Sequence, residues 1–159
     1  MAQVSRHERE LIEQALASDR PPSEPGAIIV VLPDTAEFEQ LAESALWPAL
    51  AENGFRRSGI YPFDSGSTLA DIARSIRSVD LLVADLTGPS PDVMYALGLA
   101  HGLGRCPILL SQNPQALPAA LDAFRCIKYA NHHAGRWTLR QELARAIRVF
   151  VAEAGASGE

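Results

Sequence analysis

From Ala27 onward the chain alternates short apolar runs with longer stretches in which apolar residues recur every three or four positions. That alternation predicts strand–helix–strand units building a parallel sheet covered on both faces. The expected strands are Ala27–Leu32, a weaker Phe55–Tyr61, Asp80–Asp85, Cys106–Ser111 and Phe124–Tyr129. The expected helices are 36–53, Ser67–Ser78, Asp92–Leu103 and Arg136–Ala152. The first of these turns Phe38, Leu41, Ala45, Leu46 and Leu50 inward, is interrupted near Pro48 and stops at Asn53-Gly54. Upstream, residues 5–17 read as a short helix with Leu11, Ile12, Ala15 and Leu16 on one side, and the three prolines between Asp19 and Gly26 cannot continue it.

The expected organisation is therefore an arm and Pro-rich linker over 1–26, one α/β domain over 27–153, and a tail over 154–159 that frays. Five strands joined by right-handed crossovers fit a flavodoxin-like sheet of order 2-1-3-4-5. In such a sheet the chain reverses direction between strands one and three, and ligands bind beyond the carboxyl ends of the strands there.

Composition narrows the class. A chain of 159 residues, 47% hydrophobic and 21% charged, has the make-up of one globular domain with a core of its own. The longest apolar run falls far short of a membrane span, and Arg6–Glu10 occupies the place of a signal sequence, so a soluble cytoplasmic protein is expected. A net charge of −5 argues against nucleic-acid binding. Cys106 and Cys126 read as buried thiols, and the four histidines have no metal-ligand spacing, so no metal is expected.

Candidate chemistry sits in Leu32-Pro33-Asp34-Thr35 and in Asp85-Leu86-Thr87-Gly88-Pro89-Ser90-Pro91-Asp92. Ser90 suits an N-cap, Pro91 the first helical position, and Asp92 the helix dipole. Strand-ending aspartates and such helix starts also occur in α/β proteins without any activity, so alone they leave function open. Helical spacing puts Asp92, Ala96 and Leu99 on one face with Tyr95 beside them, and position 96 looks into the site or the core. Ser65-Gly66-Ser67 could meet a phosphate or ribose through backbone amides, or be a plain turn. Gly102-Leu103-Gly104 follows a helix, the wrong order for a dinucleotide fingerprint, and reads as a C-cap. No phosphate-binding loop with a G-x-x-x-x-G-K-[ST] pattern is present. His101 reads as structural, and Asn131, His132, His133 and Arg136 as a solvated loop.

The ordered set Ala27–Asp34, Trp47-Pro48-Ala49-Leu50, Asp71–Ile76 and Asp80–Gln112 resembles the nucleoside 2-deoxyribosyltransferase-like group and its TIR-like relatives over roughly residues 27–130. Its sharpest parts are Ala84–Gly88, Pro91–His101 and Pro107–Leu110. The resemblance implies a nucleotide- or nucleoside-binding domain of an N-glycosidase, NADase or deoxyribosyltransferase lineage, with NAD or a nucleotide as substrate or ligand and no resident cofactor. It implies a pocket lined by Pro33, Asp34, Asp64, Ser65, Gly66, Ser67 and Gly88, with Asp85, Asp92 and Tyr95 around the reacting bond. Active members carry a glutamate where this chain has Ala96, and an anion there would stabilise charge developing at the sugar. The chain as it stands is then inactive: either catalysis was lost and the pocket kept, or a glutamate was replaced by design. The alternative is a noncatalytic nucleotide sensor or protein-interaction module, with the N-terminal arm as the contact for a second copy or another protein.

Overall fold

Residues 10, 27–33, 35–61, 69–88, 90–105 and 107–156 are described by a computed structural model of the chain. Strands β1 (Ala27–Val31), β2 (Arg56–Tyr61), β3 (Leu81–Asp85), β4 (Ile108–Ser111) and β5 (Cys126–Lys128) form one sheet in the order β2-β1-β3-β4-β5. Every pair is parallel, and β2 shifts register against β1 between Ile28 and Ile29. The parallel α/β architecture expected from the alternation is present.

The period of two along each strand sorts the core into two halves. Ile28, Val30, Leu81, Val83, Ile108 and Leu110 face one way, where they meet the helical segment 36–51 (α1) and the last helix, His133–Ala156 (α4). Ala27, Ile29, Val31, Leu82, Ala84 and Leu109 face the other way, toward Leu69–Ser78 (α2) and Pro91–Gly102 (α3). β1 and β3 are therefore apolar at nearly every position because both their faces are covered.

Several boundaries differ from those expected. α1 is α-helical over Ala36–Leu41 and Trp47–Ala51 with a π-helical turn, Ala42–Leu46, between them. The expected interruption near Pro48 takes this form. Pro48 has no N–H to return to the preceding turn, and the wider turn, in which the Trp47 N–H reaches the Ala42 carbonyl, accommodates it. β5 spans only Cys126–Lys128, because Ala119–Leu121 forms a short 3₁₀ turn and the chain reaches the sheet late. α4 starts at His133 and runs through Gly155 to Ala156, so the last turn extends beyond the expected tail boundary. His132 closes its start: its Nδ1 accepts the Gly135 N–H at 3.1 Å and its carbonyl accepts the Arg136 N–H at 2.8 Å. The segment read as a solvated loop is thus largely the first turn of a helix. Gly104, at φ +73°, ends α3 in the left-handed conformation that glycine adopts at least cost, as the C-cap reading required. Among the described residues no helix is long and apolar enough to cross a membrane. The helix expected at 5–17 and the linker lie outside the described residues, Glu10 excepted.

Two glycines in helices test this packing with opposite signs. A Cβ on Gly135 would lie 2.0 Å from the Ala130 carbonyl oxygen, whereas one on Gly98 would meet nothing within 4 Å. Gly135→Ala should lower stability by about 1–3 kcal/mol, and Gly98→Ala should raise it by about 0.5–1 kcal/mol, both read from urea unfolding midpoints.

Candidate functional site

β3 ends on a carboxylate that alternation forces inward. Asp85 follows Leu81 and Val83 in parity, so it points toward the α1 and α4 side and is fully buried. A buried carboxylate is tolerated only when donors surround it. The Tyr129 hydroxyl donates to Asp85 Oδ2 at 2.7 Å, and the Thr87 backbone N–H donates to Oδ1 at 2.8 Å. Thr87 Oγ1 lies 3.4 Å from the Tyr129 hydroxyl and accepts the Gln112 N–H at 3.0 Å, while Gln112 Nε2 reaches the same hydroxyl at 3.4 Å. Four side chains thereby tie together the segments that follow β3, β4 and β5.

Burial raises the Asp85 pKa above its ordinary value of 3.8; the hydrogen bonds from Thr87 and Tyr129 oppose the shift, and the charge of Glu37 adds to it. The Tyr129 hydroxyl is pushed strongly upward by burial and by the Asp85 charge, so it remains a donor. Burial and the same charge push the half-buried Cys126 thiol up, which makes it a poor nucleophile. Nearby, Asn131 Nδ2 donates to Glu37 Oε1 at 2.7 Å and Arg136 donates to Asn131 Oδ1 at 3.1 Å, linking the start of α1 to that of α4.

On the other side of the sheet, the next residue along opens a cavity of about 550 Å³. Leu86 and Gly88 supply one wall, Met94 of α3 a second, and Asn113, Ala116, Leu117 and Pro118 of the β4–β5 connection a third. The Thr87–Gln112 hydrogen bond holds the first and third walls at a set distance.

Of the residues expected to form a site, those that are described take different positions. Gly88 lines the cavity, Asp85 lies behind it in the hydrogen-bonded cluster, and Pro33 is half-buried beyond β1. Asp92 and Tyr95 are on the exposed side of α3, with Tyr95 52% exposed. Ser90 takes the extended N-cap conformation without a side-chain cap hydrogen bond. Asp34, Asp64, Ser65, Gly66 and Ser67 lie outside the described residues, as does Cys106. Thr87 falls in the candidate loop after β3 but was given no role there, and Gln112, Asn113 and Tyr129 were not singled out from the sequence. The parity of Leu81, Val83 and Asp85 signals that Asp85 needs a buried donor on that face, but it does not name Tyr129.

Neither the family models nor the curated proteins contain a match to this chain. Among solved structures, two flavo di-iron protein variants from Thermotoga maritima match with TM-scores of 0.57 and 0.58 at 14% and 15% identity. A flavoprotein from the same organism matches at 0.56 and 14%. The alignments cover 91% of this chain but only 39% of each of those chains, so the likeness is one of fold over about two fifths of their length.

These findings correct the deoxyribosyltransferase-like and TIR-like assignment, and with it the N-glycosidase, NADase and hydrolase reading. The structural neighbours are flavo di-iron and flavoprotein chains. The local geometry agrees, because Ala96 is 0% exposed and packs with Val93, Leu97 and Ala100 against the sheet. Position 96 looks into the core. Its expected face-mate Asp92 is exposed instead, since the buried stripe of α3 runs through 93, 96, 97 and 100.

Two outcomes follow. Ala96→Glu should produce no glycosidic cleavage and should destabilise the chain by several kcal/mol, about 4 or more, as a charge is forced into an apolar layer; calorimetry and release of free base from nucleosides read both effects. Between pH 3.8 and the raised Asp85 pKa, the folded chain holds more protons than the unfolded one. This contribution to stability is full below the unfolded value and is lost as pH rises through the folded one. Asp85→Asn removes the titration, so its urea midpoint should gain on that of the parent as pH rises from about 4 to 7.

Proposed function

We propose that this chain is a small-molecule-binding domain whose ligand sits between the loop after β3 and the β4–β5 connection. The observation that carries the reading is the cavity of about 550 Å³ at the carboxyl ends of β3 and β4, within the span of about 300–1,000 Å³ usual for ligand sites and lined chiefly by apolar groups. The Asp85–Thr87–Tyr129–Gln112 cluster supports it by holding both walls in place without a ligand. Residues 1–26, by the same proposal, are an arm outside the domain that offers contact to a second copy or another protein.

The neighbours' names raise flavin and di-iron as candidate groups, and the described residues fit neither. No group of three or more His, Cys, Asp or Glu residues that could hold a metal occurs among them. The first turn of α1, beside the β1 crevice where this fold places a mononucleotide, carries Glu37 and Glu39, which repel a phosphate. With Asp85 engaged at both oxygens and Ala96 buried, this end of the sheet is equipped for binding rather than bond breaking.

Uncharged aromatic fragments should raise the melting temperature and shift the amide resonances of residues 86–88, 113 and 115–117. Met94→Trp, which fills the cavity from α3, should abolish both responses while the chain stays folded. Identical responses in parent and variant would place binding elsewhere and remove the proposal.

A further inference from the structure

Resting on that binding site, the chemistry of its walls narrows the ligand. No described lining residue carries a charge, and Asn113 alone among them has a hydrogen-bonding side chain. Its backbone is already committed: the Asn113 N–H donates to Ser111 Oγ at 3.0 Å, and its carbonyl accepts the Ala116 N–H at 3.1 Å. The preceding residue is clamped through the Gln112 N–H on Thr87 Oγ1. The Asn113 side chain therefore extends from a fixed backbone at the exposed rim of an apolar cavity, offering one donor edge and one acceptor edge side by side.

We infer that the cavity selects uncharged ligands in which a flat apolar ring bears a primary amide or lactam edge, which Asn113 reads through a pair of antiparallel hydrogen bonds. An amide edge presents the complementary donor and acceptor, the same two-point match by which asparagine recognises the adenine edge. A carboxylate of the same shape presents acceptors only, so one pairing is lost. Its charge must also be desolvated against Leu86, Met94 and Leu117 with no cation in the wall. Asp92, exposed in the first turn of α3 two residues before Met94, adds repulsion.

Benzamide, benzoate and toluene separate the alternatives, with dissociation constants taken from amide-shift titrations of the full chain. Benzamide should bind roughly ten-fold tighter than benzoate, the worth of one to two net hydrogen bonds. Asn113→Leu should bring benzamide to the level of toluene, and Asn113→Asp should weaken benzamide without strengthening benzoate. Both variants alter an exposed loop side chain, and an unchanged melting temperature verifies folding. Benzoate binding as tightly as benzamide, or a preference for benzamide that survives Asn113→Leu, would overturn the inference. If toluene binds at residues 86–88 and 113–118 while the amide preference is absent, the inference fails and the binding site stands. If none of the three probes perturbs those residues, both fail.

Discussion

A carboxylate with no access to water must be met by protein donors, and at the end of β3 that requirement organises the carboxyl ends of β3, β4 and β5. Asp85 takes one hydrogen bond from the Thr87 backbone and one from the Tyr129 hydroxyl, and Thr87 in turn receives the Gln112 N–H. The strands that these residues follow are neighbours in the sheet, so the cluster sets how far apart the three loops can stand. Breaking one member would leave a buried polar group unsatisfied, typically about 1–3 kcal/mol, which is why the loops share one arrangement.

The same alternation that buries Asp85 on the α1 and α4 side turns Leu86 to the other side, where the cavity opens. Polar cluster and cavity are back to back across one strand end. The cluster supplies rigidity and the cavity supplies room. α3 belongs to the cavity side alone, where Val93, Ala96, Leu97 and Ala100 press on the sheet while Met94 faces the cavity. A glutamate at position 96 has no place in that layer, and for this reason the glycosidic reading fails on geometry as well as on comparison.

The fold is shared with chains whose names declare flavin and iron, yet sheet order and helix placement transmit no chemistry by themselves. In this chain the carboxyl end of the sheet carries acidic side chains in the first turn of α1, and Asn113 with its apolar companions after β4. Loops tolerate sequence change because the sheet beneath them is fixed by burial.

The strand–helix alternation, the sheet class and the place of the carboxyl-end loops were legible in the sequence, because period-two and period-three-to-four patterns are local consequences of which side chains must leave water. Gly104 as a helix end and Pro48 as an interruption were legible for the same reason, each being a backbone constraint carried by one residue. The partner of Asp85 was not, since Tyr129 lies 44 residues away and meets it only when β4 has been laid between β3 and β5. Nor was the direction of Ala96: helical spacing allows two neighbouring faces, and only the angle at which α3 lies on the sheet chose the one through Val93 and Ala100. The cavity between Leu86 and Leu117 likewise exists only where separate loops come together, and no single segment of the chain encodes a space between segments.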